Sequence, residues 1–229
     1  MSICFEGFLG KEIQNIETRL IEEFSSLGFH IEIHPDVNLL DSKNFDVLHI
    51  KVNKTPVCLK RISPATPLLV SFGYYSKRRD AALQTEEGDP PRRVRKYSYR
   101  ISTRTSAGRS FSAVHMQALT VAVLAKISNG RFHGDDDAEA VSGSAGLQKI
   151  VDELHNTSDI FFDSNAFPFE SWPSLGEDSN FKYPEIINKT LKNTQEGIFH
   201  VPHKRKININ YSYLFFGFIF LYFLIATII

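Results

Sequence analysis

Residues Tyr211 to Ile229 read YSYLFFGFIFLYFLIATII, a run with no charge, no proline and a single glycine. Wound as a helix at ~1.5 Å per residue, a run of that length reaches across most of a ~30 Å hydrocarbon core. A buried core helix is usually shorter and shows a polar face. Here Leu214, Phe215, Phe216, Phe218, Ile219, Phe220, Leu221, Phe223, Leu224 and Ile225 cover every side, which predicts a single C-terminal transmembrane helix. Tyr211, Phe216, Phe220 and Ile225 are then membrane-anchor residues. Lys204, Arg205 and Lys206 stand just before them, with Lys189 and Lys192 further back, and such a basic flank favours the cytoplasmic side. The expected arrangement is a tail anchor in contact with membrane lipid, with everything N-terminal to it in the cytosol. Met1 to Gly10 has no charged start followed by a long apolar run, so no secretory signal is read there. From about Asn180 the composition turns to Asn, Lys, Ile, Tyr and Phe, which leaves open whether the tail is original to the domain or a later fusion.

Upstream of the anchor stand roughly two hundred residues, enough for one medium domain with its own core. The division expected is an α+β globular domain over 1–156, an irregular aromatic and acidic arm and linker over 157–203, and the basic flank with its anchor over 204–229. Lys plus Arg and Asp plus Glu both count 26, so net charge gives no argument for nucleic acid, and no nucleic-acid partner is expected. Their distribution says more: basic residues crowd Lys77 to Arg109 and acidic ones crowd Asp135 to Glu185, as on two faces of opposite sign. Cys4 and Cys58 are the only cysteines. So sparse a pair is no disulfide framework, and a cytosolic setting keeps it reduced.

The domain opens with an apolar strand from Ser2 to Leu9. A helix follows from Lys11 to about Leu27, with Ile13, Ile16, Leu20, Ile21, Phe24 and Leu27 at the three- and four-residue spacing of one buried face. Gly28 stands at its C-terminus, and Phe29, Ile31 and Ile33 alternate with His30, Glu32 and His34 up to Pro35, as in a half-buried strand. This reads as a β-α-β start. Further strands are expected over Phe45–Val52, Val57–Ile62 and Leu68–Tyr75, then an exposed loop over Lys77–Arg93. Val94–Thr103 reads as an edge or amphipathic strand. Phe111–Ser128 predicts a helix with Val114, Ala118, Val121, Ala122 and Ala125 inward and Gly130 as its cap. Arg131–His133 is a brief strand, and Ser144–His155 a last helix on Leu147, Ile150, Val151 and Leu154. Past Asn156 the aromatics Phe161, Phe162, Phe167, Phe169, Trp172, Phe181 and Tyr183 follow no period. They read as an irregular arm pinned onto the domain, because disordered segments are poor in aromatics. The architecture expected is a mixed or antiparallel sheet covered by two to three helices.

Chemistry-bearing motifs are few. Ser106-Ala107-Gly108-Arg109-Ser110 lies between a strand and a helix, where backbone N–H groups and Arg109 suit an anion or a partner. It lacks the Gly-Lys-Ser/Thr of a Walker loop and the Gly-x-Ser-x-Gly of a nucleophile elbow, and a plain capped turn is the favoured reading. Asp135-Asp136-Asp137 with His133 and Glu139 has oxygen ligands without the spacing of a calcium loop, so no metal is assigned and a solvated acidic turn is expected. His30, His34, His49 and Cys58 form no Cys-x-x-Cys or His-x-x-x-His pattern, and alternation places His30 and His34 on the wet face of their strand. No catalytic residue and no cofactor is expected.

The run TSAGRSFSAVHMQALTVAVLAKISNGRFHGDDD, Thr105 to Asp137, resembles a segment of bacterial immunity-type proteins that accompany secreted interbacterial toxins. The shared features are a strand, the Thr-Ser-Ala-Gly-Arg-Ser turn, an Ala-rich helix with a central Gln, then a Gly and an acidic turn. The resemblance implies an α+β domain that binds and blocks a cognate toxin, with Arg109 and Gln117 as the matching polar positions beside Ser106 and Gly108. The expectation is therefore a non-enzymatic binding protein held at the inner (cytoplasmic) membrane, with a protein partner. The alternative is a membrane-anchored enzyme using the Ser106–Arg109 turn on an anionic or phosphorylated substrate.

Overall fold

Seven strands line up in one antiparallel sheet behind three helices, the α+β architecture expected, in a computed structural model that describes residues 2–40, 46–78, 97–106, 110–156 and 160–175. The strands are β1 (Ser2–Leu9), β2 (His30–Ile33), β3 (Asp46–Lys54), β4 (Leu68–Arg78), β5 (Tyr99–Ser106), β6 (Arg131–His133) and β7 (Val141–Ser142), in the order β2-β3-β4-β5-β1-β6-β7. A two-residue strand, β8 (Phe167–Pro168), pairs with β4 off that path. Each neighbouring pair is antiparallel, so β1 and β2 point the same way with β5, β4 and β3 between them. The expected β-α-β start is therefore a crossover over three intervening strands rather than a pair of adjacent parallel strands.

The helices are α1 (Ile16–Ser26), α2 (Phe111–Ile127) and α3 (Gly143–Asn156). Helix α1 begins at Ile16 rather than Lys11, because Asn15 takes a left-handed conformation with φ 53° that stops the helix from extending backwards. Ile13 still reaches the core from the preceding turn. Gly28 ends α1 as expected, at φ +85°, where a side chain would be strained. Helix α2 departs further from its sequence reading. Its one predicted inward face proves to be nearly the whole circumference, because α2 lies on the sheet and packs against both α1 and α3. Glycines bring α3 in close: a Cβ on Gly143 would collide with the α2 backbone at Ala125 and Lys126, and one on Gly146 would lie 2.6 Å from the Phe132 side chain of β6. At the C-terminus of α2, Asn129, not Gly130, takes the left-handed position, φ 54°. Gly130 is needed instead for its close approach to the Phe8 carbonyl.

The helix-side face of the sheet carries Leu48, Ile50, Val52, Val70, Phe72, Ile101 and Leu9, all at most 1% exposed, and meets Leu20, Phe24, Met116, Leu119 and Val123 of the helices in one apolar core. One strand reading fails and another is narrowed from edge or amphipathic to amphipathic. Val57–Ile62 forms no strand, only a single parallel bridge between Lys60 and Phe161; the backbone N–H groups of Ile62 and Ser63 are taken by the Asp163 carboxylate instead. Strand β5 is interior, between β4 and β1. Its alternation of Tyr99 and Ile101 with Arg100 and Ser102 marks the two faces of the sheet and not an edge.

Residues 160–175 are held against the sheet. Phe162 is fully buried in the core and touches Phe29 and Phe111, Phe167 pairs with Leu69, and Phe169 N–H donates to the Pro67 carbonyl. Among the described residues no helix is long and apolar enough to cross a membrane. The predicted span Tyr211–Ile229, its flank Lys204–Lys206, and Phe181 and Tyr183 lie outside the described residues.

Candidate functional site

The turn singled out in the sequence is described only at its two ends. Ser106 is the last residue of β5, and Ser110 is the N-cap of α2; Ala107, Gly108 and Arg109 lie outside the described residues. Ser110 is extended, its hydroxyl accepts from Ala113 N–H at 3.1 Å, and it also pairs with Ser112 Oγ at 2.9 Å. That hydroxyl thus satisfies one of the free N–H groups of the first turn, as in an ordinary capped helix. Gln117 sits two turns into α2 and is fully buried. Its Nε2 donates to the Ile3 carbonyl and to Thr103 Oγ1, tying α2 to β1 and β5, while its Oε1 and Thr105 Oγ1 find no hydrogen-bond partner among the described residues. A side chain in that position cements helix to sheet and presents no atom to a partner on the protein surface. The structure therefore places Gln117 apart from the surface role that the resemblance implies for it.

The sheet face turned away from the helices holds most of the described polar chemistry. Cross-strand register brings together Tyr75, Ser102 and Glu6 in one row, Gly73, Arg104 and Cys4 in the next, and Lys77, Arg100 and Phe8 on the other side. Arg131 and His133 of β6 continue it beside Phe8 and Glu6. Arg100 donates to Glu6 Oε1 at 2.6 Å and Ser102 Oγ donates to the same oxygen at 3.3 Å, which fixes three side chains on three adjoining strand positions. Arg104 is exposed. The face is thus basic and presented by strands on either side of each residue, an arrangement of low conformational freedom. Alternation marked the polar side of β5, but only the register shows which residues of β1, β4 and β6 stand beside it.

Toward β2 the same face is covered by residues 167–173. His49 and Ser71, cross-strand partners on β3 and β4, form a buried pair with Nδ1 and Oγ 2.8 Å apart. His34 stands next to them, its ring 6.2 Å from that of His49. Asp36 N–H donates to His34 Nδ1, so Nε2 carries the proton and donates to the Pro173 carbonyl at 3.0 Å. Trp172 closes edge-on over His34, Phe169 packs on Trp172, and the Lys51 ammonium lies 4.9 Å from the Phe169 ring centre. His34 is therefore buried, against the alternation of β2: the strand ends at Ile33, and the arm roofs the position that would otherwise be wet. Burial, helped by the nearby His34, pushes the pKa of His49 down to about 4. It is neutral at pH 7, and the Ser71–His49 pair ties β4 to β3.

The acidic turn after β6 is engaged with the protein itself. Asp135 Oδ1 accepts from Cys4 N–H, and Asp137 accepts from Gly134 N–H and from Lys149 Nζ. Burial works against ionisation of Asp137, but the Lys149 and Gly134 hydrogen bonds outweigh it and hold the carboxyl below its usual range. No group of three or more metal-ligating side chains occurs among the described residues. Cys4 and Cys58 are free thiols, both half-buried. No family model, curated protein or solved structure matches the chain.

Proposed function

We propose that this chain is a membrane-tethered, non-enzymatic binding protein of the immunity type, which neutralises a cognate secreted toxin by covering its working surface. The observation that carries the reading is the basic outer face of the sheet, where Lys77, Arg100, Arg104 and Arg131 outnumber Glu6 on strands held from both sides. Such a face suits an acidic patch on a folded partner. Docking there needs little reordering of the binder, and the entropic cost of association is correspondingly small. Tyr211–Ile229 and the Lys204–Lys206 flank hold the domain on the cytosolic side of the inner membrane, which raises its concentration where an incoming toxin arrives. The reading needs neither cofactor nor metal.

The test is a pull-down from native membranes with the detergent-extracted full-length protein, a version ending at His203, and the full-length Arg104→Glu variant, the retained protein being identified by mass. A stoichiometric toxin-like protein held by the first two and lost at least ~10-fold by Arg104→Glu is expected for a charge at an interface core. Equal retention by Arg104→Glu removes this face as the docking surface. An absence of partner with all three sinks the inhibitor reading.

A further inference from the structure

Four large apolar side chains stand exposed on two segments that the fold joins: Val57 at 100% and Ile62 at 65% on the loop after β3, and Ile160 and Phe161 at 46% each at the start of the arm. The two segments are locked side by side. Lys60 and Phe161 form a parallel bridge, Phe162 N–H donates to the Lys60 carbonyl at 2.7 Å, and Asp163 accepts from the N–H groups of Ile62 and Ser63. Beneath them Arg61 stands 3.8 Å from the Asp163 carboxylate, with 4% and 5% of the two side chains exposed, and Arg61 NH2 also donates to the Thr66 carbonyl. A loop braced by a buried ion pair keeps its apolar residues in water by construction, and clustered exposed apolar groups mark an interaction site where scattered ones do not. Lys54 and Lys60, both exposed, flank the cluster.

We propose that this braced patch is a second membrane contact, in which Val57, Ile62, Ile160 and Phe161 enter the headgroup region of an anionic bilayer with Lys54 and Lys60 beside the phosphates. The inference rests on the tether reading, and the tether is also what selects lipid as the occupant. The described arm stops at Leu175, itself 36% exposed, and the apolar run starts at Tyr211. About 35 residues separate them, a contour of no more than ~120 Å, so the domain never leaves the neighbourhood of the bilayer. Aliphatic and aromatic residues beside lysines are the side chains that suit an anionic interface. A bilayer-facing patch would also orient the sheet's basic outer face relative to the membrane plane, which a tether alone does not do.

The experiment uses the full-length chain reconstituted into phosphatidylcholine/phosphatidylglycerol vesicles, with Cys4 and Cys58 changed to Ser. Val57→Cys carries an environment-sensitive fluorophore, and Gln148→Cys on the exposed side of α3 serves as the control position. Flotation reports the tether; quenching by lipids with spin labels on their acyl chains reports the patch. Expected is co-flotation in every case, quenching at position 57 at least ~3-fold stronger than at position 148, and loss of that difference with Ile62→Asp/Phe161→Asp while flotation persists. Co-flotation with equal quenching at 57 and 148 overturns the inference and leaves the tether standing, handing the patch to a protein partner or a second copy. Failure to co-float overturns the tether, and this inference with it.

Discussion

Lowering the pH from 7 to 5 destabilises this domain through His49, and the size of the effect follows from its surroundings. His49 is 1% exposed, opposite Ser71 and beside His34, and its pKa is about 4 in the folded protein against the ordinary 6.5. Above pH ~6.5 neither the folded nor the unfolded chain holds this proton. Between ~6.5 and about 4 only the unfolded chain does, so stability falls as pH falls; below about 4 both states are protonated and the dependence stops. At ~1.36 kcal/mol per pKa unit, the full window amounts to roughly 3 kcal/mol, and the part between pH 7 and 5 to about 2 kcal/mol. The interval from pH 7 to 5 lies above the ordinary values of Glu32 and Asp137, 4.5 and 3.8, whose depression in the folded chain adds a loss of the same sign only at lower pH. His115, likewise lowered by burial, contributes with the same sign, so the assay is a difference. Urea unfolding is followed at pH 7, 6 and 5 for the native chain and for His49→Asn, whose amide can keep a hydrogen bond to Ser71. The variant is expected to be less stable at pH 7, yet to lose about 2 kcal/mol less on going to pH 5. Equal losses in the two proteins would refute the argument, since the proton would then be taken up elsewhere.

Other substitutions probe the remaining contacts. Asp163→Ala leaves the Ile62 and Ser63 N–H groups and the buried Arg61 guanidinium without their carboxylate, an expected cost of about 3–5 kcal/mol in chemical denaturation. Gly143→Ala drives a Cβ into the backbone of α2 and is expected to lower stability by about 2 kcal/mol or more despite the better helix propensity of Ala, read as a drop in thermal midpoint. Ser110→Ala removes the cap of α2, with an expected loss of about 1 kcal/mol and an intact circular dichroism spectrum. Ser110→Asp, which keeps an acceptor at that position, should recover most of it.

Much of the fold lay in the sequence because it is written in short-range patterns. The spacing of Ile16, Leu20 and Phe24 announces the buried face of α1, Gly28 its end, and the alternation around Ile101 the two faces of β5. What escaped depends on residues far apart in the chain. Nothing near His34 says that Trp172 and Pro173 will roof it. Nothing near Val57–Ile62 says that Asp163 will claim the N–H groups a strand would have used. The burial of α2 on nearly all sides follows from two neighbouring helices, and its own apolar periodicity is too weak to reveal them. The candidate site was legible only in part: Ser110 as a cap was readable from its position before the helix, whereas the basic outer face emerged once register set Arg100 beside Glu6.

The place of β1 in the sheet also bears on how the chain is made. Ser2–Leu9 leaves the ribosome before either of its two partners, Tyr99–Ser106 and Arg131–His133. Until both have been synthesised, an apolar strand with two open edges must wait in the nascent chain, where any other exposed strand competes for it. Closure of the sheet is therefore a late, long-range event set by translation of the middle of the chain.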